Sequence, residues 1–330
     1  MANGAQTMHR ALGWIALFLA VIVVSGCSIL RGNRAPTASF TASYEKGYVP
    51  LEASFDALGS SDPDGDSLTY AWSFGDGSTG SGSQTTHTYD NAGSYEVVLR
   101  VTDPEGLEAT TVSTIEVLAV PEGSVVLRFS WTWEGEVQRL DFAAPWNLYQ
   151  TYRGRLRTPL VDNYNYGDFV NDPLDDPTLE DLADELWNRA GGDAATATFV
   201  DYTLVFVQCS IEYQADPPGS EWPLYPLETL VDRTGDCEDT SILLVSLLLA
   251  KGVASRLAFV DTDKDGTPDH VLVLVPYEDS YTGTACEEGL TILELDGDLY
   301  VVAETTRSGD GVGCDPWGLE EDDLIEVWTF

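Results

Sequence analysis

The chain carries two successive hydrophobic patterns. From residue 36 to about residue 120, apolar and polar positions alternate in short runs separated by Gly, Asp, Pro and Ser. Three such runs lie at 68–74, 95–102 and 111–117. A period of two is typical of strands that bury one face, and closely spaced turns are typical of sandwiches. Residues 36–120 are therefore predicted to form an all-β, immunoglobulin-like sandwich.

Residues 121–330 mix strand and helix patterns. Alternating residues, apolar residues at helical spacing and turn residues between them define the elements. The predicted elements are strands at 125–133 and 137–142, a packed loop or short helix within 142–157, helices at about 179–190 and 194–213, and strands at 255–260, 270–275, 291–295 and 299–306. The pattern predicts an α+β domain.

The most apolar helix is predicted directly after the Gly-Asp-Cys sequence at 235–237. Asp236 is a suitable N-cap, and Asp239 matches the acidic position of a capping box. Gly252 suits the left-handed position beyond the helix end. Cys237 would lie in the first turn, where the helix dipole favours thiolate over thiol. The pattern alone leaves two interpretations open, a catalytic cysteine and a small buried core residue.

Residues 1–27 match an export signal. A short polar and basic start precedes an apolar run at 11–24, which is short for a membrane span of roughly 20 residues but usual for a signal peptide. Val-Ser-Gly-Cys at 24–27 resembles a lipobox, so Cys27 is predicted to be lipidated and to anchor the protein to the membrane through a tether at 28–35. An ordinary cleaved signal and an uncleaved anchor are the alternatives. Each of these places the folded part outside the cytoplasm, at the cell surface or in the periplasm.

The charge of the chain limits its partners. The 55 acidic and 16 basic residues give a formal net charge of -39. A surface with this much negative charge repels nucleic acids and anionic lipid headgroups. No nucleic-acid partner is therefore expected.

Three of the five cysteines remain once Cys27 and Cys237 have been assigned. Cys286 and Cys314 both lie in loop-like sequence, and an oxidising compartment would allow a disulfide between them. Cys209 is a possible competitor for either partner. None of the spacings is that of a zinc site.

The sandwich closely resembles a PKD domain. The resemblance rests on Trp-Ser-Phe-Gly-Asp-Gly at 72–77, His-Thr-Tyr at 87–89, and the segments 92–97 and 101–103. It implies an extracellular spacer or interaction module without chemistry of its own. His87 is accordingly interpreted as structural, and the aspartates at 62–66 as a solvated turn, with a cation site as the alternative.

The helix motif resembles the transglutaminase-like superfamily of papain-fold cysteine enzymes. Gly-Asp-Cys-Glu-Asp at 235–239 carries the resemblance, and Tyr-Pro-Leu-Glu-Thr-Leu at 225–230 points to an archaeal and bacterial extracytoplasmic branch. The resemblance implies a catalytic triad of Cys237, His270 and Glu304. His270 is the only histidine in 121–330.

Two positions depart from this pattern or add to it. Members of the family often have aspartate followed by proline at the third position, whereas this chain has Glu304 followed by Thr305. Glutamate can orient an imidazole equally well, so the difference concerns geometry more than activity. Gln208 is a candidate oxyanion donor by analogy with papain-type enzymes, and a surface glutamine is the alternative.

An acidic loop at 261–269 precedes His270. Its carboxylates occupy loop positions 1, 3, 5 and 9 and its glycine position 6, an alternation that suits calcium: Asp261, Asp263, Asp265 and Asp269. Leu272 stands where an EF-hand requires glutamate, so the loop would be of a shorter type. A solvated acidic hairpin is the alternative. Bound calcium would order the hairpin and thereby position His270.

These features together predict an exported cysteine enzyme that transfers acyl groups from protein or peptide amides. Water as acceptor would make it a peptidase or amidase, and an amine would make it a transglutaminase. No organic cofactor is expected. One rival hypothesis is a non-catalytic surface binding protein on the same scaffold, and another is a calcium-dependent structural surface protein.

Overall fold

A computed structural model of the chain describes residues 32–155, 165–192, 196–217, 222–281, 290–307 and 311–330. The chain divides into two compact units. The first takes residues up to 42, 53–87 and 95–114, and the second takes 43–52, 88–94 and 115–330. Within the described residues, no helix is both long and apolar enough to cross a bilayer.

The N-terminal region is a β-sandwich of two sheets. Its strands are β1 (Thr41–Ala42), β2 (Lys46–Tyr48), β3 (Leu51–Asp56), β4 (Thr69–Ser73), β5 (Thr79–Ser81), β6 (Gln84–Tyr89), β7 (Gly93–Thr102) and β8 (Glu108–Leu118). One sheet has the order β1-β3-β6 and the other β2-β8-β7-β4-β5. Alternate residues point inward, as in β3, where Leu51, Ala53 and Phe55 are buried and Glu52 and Ser54 are exposed.

The region from 124 to 235 supplies a hairpin and most of the helices. Its elements are β9 (Ser124–Trp133), β10 (Glu136–Pro145), α1 (Trp146–Arg153), α2 (Gly167–Val170), α3 (Asp176–Arg189), α4 (Thr196–Ser210), β11 (Glu212–Tyr213), α5 (Pro226–Asp232) and β12 (Thr234–Gly235). β9 and β10 pair antiparallel around a turn at Glu134 and Gly135, both of which have positive φ. β11 pairs parallel with β12, directly before the Cys237 helix.

That helix, α6 (Cys237–Leu249), lies in the main hydrophobic core. It contacts a five-stranded sheet made of β13 (Arg256–Val260), β14 (His270–Pro276), β15 (Ile292–Leu295), β16 (Asp298–Ala303) and β17 (Leu324–Thr329). The sheet order is β15-β16-β14-β13-β17. Val271, Val273 and Val275 join the core that contains α6, whereas Leu272 and Leu274 join a second cluster on the opposite face.

The predicted fold class, a β-sandwich followed by an α+β domain, is confirmed. The packed segment after β10 proves to be a helix, α1. The predicted helix at 194–213 ends earlier, at Ser210, because Glu212 and Tyr213 pair with Thr234 and Gly235. β17 was not predicted from the sequence. It completes the sheet by pairing with β13 over a register interrupted by a bulge.

Candidate active site

Cys237 is the first residue of α6 and follows the N-cap Asp236. The N–H of Asp236 donates to Asp239 at 3.4 Å, which is the acidic half of the predicted capping box. The thiol donates to Oε2 of Glu238 at 3.4 Å, and its sulfur accepts the backbone N–H of Val271. It is not part of a disulfide. The thiol therefore lies between the start of the helix and the start of β14.

His270 and Glu304 form a hydrogen-bonded pair. The distance from Nε2 of His270 to Oε2 of Glu304 is 2.7 Å, and the Glu304 side chain is fully buried. The other carboxylate oxygen accepts the N–H of Thr306 at 2.6 Å. Burial alone would raise the pKa of Glu304, but His270 and Thr306 outweigh it and hold that pKa below its usual range. Glu304 is thus an ionised carboxylate that can orient an imidazole.

The thiol and the imidazole belong to adjacent parts of the chain fold. Val271, whose amide contacts the sulfur, directly follows His270. In the described part of the chain, the hydrogen bonds of the thiol reach Glu238 and Val271, and none joins it to His270. Because Nε2 of His270 faces Glu304, Nδ1 is the ring nitrogen left for proton exchange. Such contacts are often long in a protein without substrate and close when substrate binds.

The pKa of the Cys237 thiol is shifted in the direction opposite to the one that the sequence predicts. The helix dipole is predicted to favour thiolate, yet burial, followed by the electrostatic interaction with the Glu238 and Asp236 carboxyl groups, raises the pKa of Cys237 well above its usual value. A helix terminus contributes only the field of its first turn, whereas burial penalises any charge on sulfur. Cys237 is therefore a neutral thiol at neutral pH and needs a base to react.

An acidic cluster that the sequence does not predict includes Glu238, which contacts the thiol. One ligand oxygen each from Asp216, Asp236 and Glu238 lies within 4.8 Å of the others. Burial and the hydrogen bond with Asp236 raise the pKa of Glu238 far above its usual range. Asp236 Oδ1 and Glu238 Oε1 are buried and have no hydrogen-bond partner in the described structure. These carboxylates could hold a hard cation, which prefers oxygen ligands.

The Trp317 ring contacts the imidazole of His270. Its ring centroid lies 4.7 Å from that of His270, at an interplanar angle of 53°. No local sequence signal marks Trp317, since it follows β16 by a loop and reaches the site only through folding.

Gln208 is buried near the end of α4, so the alternative of a surface glutamine is wrong. Its Nε2 donates to the backbone carbonyl of Glu304 at 2.6 Å. This contact fixes the chain at the orienting carboxylate. The predicted oxyanion role, which would use the second N–H of the same amide, stays a prediction.

Tyr213 lies at the rim of the site. It pairs with Gly235, two residues before Cys237, and its side chain is 55% exposed. Burial, followed by the nearby Cys237 and Asp236, raises the pKa of its phenol. The phenol is therefore a neutral hydrogen-bond donor beside the thiol. The sequence pattern instead predicts Tyr213 at the end of a helix.

The structure brings together three of the four predicted calcium ligands. Oxygens of Asp261, Asp263 and Asp265 lie within 4.8 Å of one another. Asp269 instead accepts the N–H and the hydroxyl of Thr262, each at 2.8 Å. The geometry of the first three carboxylates suits a cation, and calcium stays a prediction.

The structure describes three of the five cysteines. Cys314 is disulfide-bonded, while Cys209 and Cys237 are thiols. Cys286, the predicted partner of Cys314, and Cys27, the predicted lipidation site, lie outside the described residues. Both assignments stay predictions.

The sandwich contains its own histidine–carboxylate pair. His87 Nε2 lies 2.7 Å from Asp76 Oδ2, and the imidazole stacks on Phe74 with centroids 4.3 Å apart. These contacts agree with the structural interpretation of His87. In the aspartate-rich turn, Asp64 pairs with Arg34 at 2.9 Å.

Comparison with known families identifies the sandwich. A family model for the PKD domain matches residues 33–117. Residues 33–117 are a PKD domain. A microbial collagenase of Vibrio alginolyticus is 43% identical over 91 residues, which are 28% of this chain and 11% of the collagenase. The chain thus spans only about a tenth of that relative, and PKD domains of this kind occur in large bacterial proteins.

Solved structures give the same picture. The PKD1 domain of the Vibrio cholerae metalloprotease PrtV is 38% identical and covers 26% of this chain and 98% of that domain, with a TM-score of 0.23. Legionella pneumophila LapG, treated with EGTA, is 16% identical and covers 52% of this chain and 81% of LapG, with a TM-score of 0.29. The likeness to LapG is too distant to give functional information.

Proposed function

We propose that residues 121–330 form a cysteine acyl-transfer enzyme that acts on protein or peptide amides. The observation that supports this function is the partly buried His270–Glu304 hydrogen bond of 2.7 Å, at the start of the strand whose next amide contacts the Cys237 sulfur. A nucleophile, a base and an orienting acid in this order are the parts that acyl transfer requires.

In the proposed reaction His270 Nδ1 accepts the thiol proton while the sulfur of Cys237 attacks the amide carbonyl carbon. The tetrahedral intermediate collapses when the imidazolium donates that proton to the leaving nitrogen, which breaks the C–N bond and leaves a thioester. Water or an amine then attacks the thioester, loses its proton to His270 and displaces the sulfur, which regains the proton. Glu304 stays ionised throughout and stabilises the imidazolium.

The high pKa of the thiol favours general-base attack over a preformed thiolate–imidazolium pair. The sulfur is nucleophilic only as it loses its proton. Proton transfer to the His270 imidazole can supply that step when substrate arrives.

Reaction with an activated ester tests the function. Incubation with p-nitrophenyl acetate should release nitrophenolate in a burst and leave an acetyl group on Cys237, detectable by mass spectrometry of the peptide that contains it. Cys237→Ala should abolish the burst and the adduct, whereas Cys209→Ala, which removes the other thiol of the described residues, should preserve both.

The same experiment separates the enzyme from a non-catalytic binding protein. A binding protein on this scaffold predicts that Cys237 acylates no faster than Cys209, because nothing would assist its attack. That outcome, with the protein shown to be folded by its unfolding transition, would refute the proposed function.

Export and membrane anchoring through Cys27 belong to the same proposal. A PKD domain of the matched kind also occurs in a microbial collagenase, and a protein substrate fits the proposed enzyme. A Cys27→Ala variant that still sediments with membranes would contradict the lipid anchor.

We also propose that calcium binds the loop at 261–269 and orders the approach to His270. Three carboxylates in one loop repel each other without a cation, so calcium should raise the midpoint temperature of unfolding and EDTA should lower it. The shift should disappear in an Asp263→Asn/Asp265→Asn double variant, because both substitutions remove ligand charge from exposed positions.

A second carboxylate cluster makes a matched control necessary. Glu238→Gln alters the cluster beside the thiol and leaves the loop intact. If the calcium response is lost in Glu238→Gln and kept in the loop double variant, calcium binds beside the thiol, and the loop proposal is wrong. If EDTA changes neither stability nor Cys237 reactivity, calcium has no part in the fold.

A further inference from the structure

Three buried hydroxyl groups join the segments that carry the proposed triad. They belong to Thr240 and Ser241 on α6 and to Thr305, the residue after Glu304, and all three are at most 3% exposed. Thr305 Oγ1 lies 2.7 Å from Thr240 Oγ1 and 3.3 Å from Ser241 Oγ. The hydroxyl of Thr305 is therefore shared between the helix of the nucleophile and the strand end of the acid.

The network also reaches the backbone on either side of the thiol and the imidazole. Thr240 Oγ1 donates to the carbonyl of Asp236 at 2.7 Å, and Ser241 Oγ can donate either to the carbonyl of Val271 or to Thr305 Oγ1, each at 3.3 Å. A hydroxyl has one hydrogen to donate, so Thr240 must accept from Thr305. Thr305 therefore donates to Thr240, and Thr240 donates to the carbonyl of Asp236. Asp236 is the residue directly before the nucleophile.

We infer that Thr305 is a positioning residue that sets the Glu304–His270 pair relative to Cys237. The inference rests on the proposed acyl-transfer function. Proline, which is common at this position in the family that the motif resembles, has no hydroxyl. A buried hydroxyl bridge is rigid because each member loses its partner if one segment shifts.

Thr306 completes the arrangement from the other side of Thr305. Its N–H, at 2.6 Å, and its hydroxyl both donate to Oε1 of Glu304, while Oε2 faces His270. The carboxylate is thus held at both oxygens, and its backbone is tied to α6 through Thr305. Movement of this strand end would carry His270 with it.

The test uses the rate at which iodoacetamide alkylates Cys237, measured against pH in a Cys209→Ala background. Thr305→Val keeps the shape of the side chain and removes the hydroxyl. It should slow alkylation of Cys237 near neutral pH by about 10- to 100-fold, because small displacements of reacting groups reduce rates on this scale. Its pH profile should approach that of His270→Gln. Thr305→Ser, which restores the hydroxyl, should recover most of the rate.

Thr203→Val is the matched control. Thr203 is fully buried on α4, and its hydroxyl has no hydrogen-bond partner in the described structure. The same substitution there should leave the pH profile unchanged. If Thr305→Val does not fold, Ser241→Ala carries the test, because it removes the second link and should slow alkylation by a smaller factor.

The outcomes separate this inference from the proposed function. Suppose that Cys237 is alkylated faster in the wild type than in His270→Gln, and equally fast in the wild type and Thr305→Val. That result would overturn only the positioning role of Thr305. Equal loss in Thr305→Val and Thr305→Ser would also overturn it, since the methyl group and not the hydroxyl would then matter. A wild-type thiol no faster than in His270→Gln would overturn both.

Discussion

Replacement of His270 by glutamine is expected to slow acylation of Cys237 by p-nitrophenyl acetate by about 10²- to 10⁴-fold, the range of general acid–base catalysis. Glutamine can still donate to Glu304, so it does not strand a fully buried carboxylate, as alanine would. It cannot accept the thiol proton. Because the thiol is neutral at neutral pH, the loss should shrink as pH rises and the thiol ionises without help.

The sandwich supplies a matched control for that variant. His87 pairs with Asp76 at 2.7 Å, the same distance as His270 with Glu304. His87→Gln therefore disturbs an equivalent hydrogen bond in the PKD domain, and it should leave acylation unchanged. A loss in His270→Gln no larger than that in His87→Gln would contradict the assignment of His270 as the base.

Glu304→Gln should give a smaller loss than His270→Gln under the same conditions. It retains a hydrogen-bond acceptor for the imidazole and removes the charge that stabilises the imidazolium. Since the pKa of Glu304 lies below its usual range, the wild-type carboxylate contributes stability above the ordinary value of 4.5, and this contribution is lost as pH falls through the lowered pKa. Acid should therefore destabilise the wild type more than Glu304→Gln.

Glu238→Gln is expected to remove a large pH dependence of stability. The folded state holds the Glu238 proton well above the ordinary pKa of 4.5, whereas the unfolded state has lost it. The stabilising contribution is complete below 4.5 and declines as pH rises toward the raised pKa. The free energy of unfolding should fall by up to about 1.4 kcal/mol per pH unit in that window. Glutamine stays neutral at every pH, so the free energy of unfolding of Glu238→Gln should vary less with pH in that window.

Urea unfolding in EDTA at a series of pH values measures this effect, because the chelator prevents a cation from replacing the proton. Glu326→Gln, at an exposed position of β17, is the control and should keep the wild-type slope. Parallel curves for wild type and Glu238→Gln would show that the Glu238 carboxyl ionises normally, and would contradict the buried acidic cluster as described.

The local patterns predicted most of the elements correctly. Asp236 begins the helix of Cys237 as its capping signals indicate, and the residues around the Glu134–Gly135 turn form the predicted hairpin. Such signals act over a few residues, so the sequence carries them completely. The earlier end of α4 and the existence of β17 depend on pairing with distant strands, and local patterns do not record such pairing.

The sequence by itself determined the PKD sandwich, the buried helix with Cys237 at its tip and the residue types available for chemistry. Tertiary structure alone decided the electrostatic state of the thiol, the contact of Trp317 with His270, and the bridge from Thr305 to Thr240. These properties arise from groups that lie far apart along the chain and close in space. Burial and through-space charge outweigh the dipole of one helix end, so the thiol that local rules predict to be ionised is neutral in the fold.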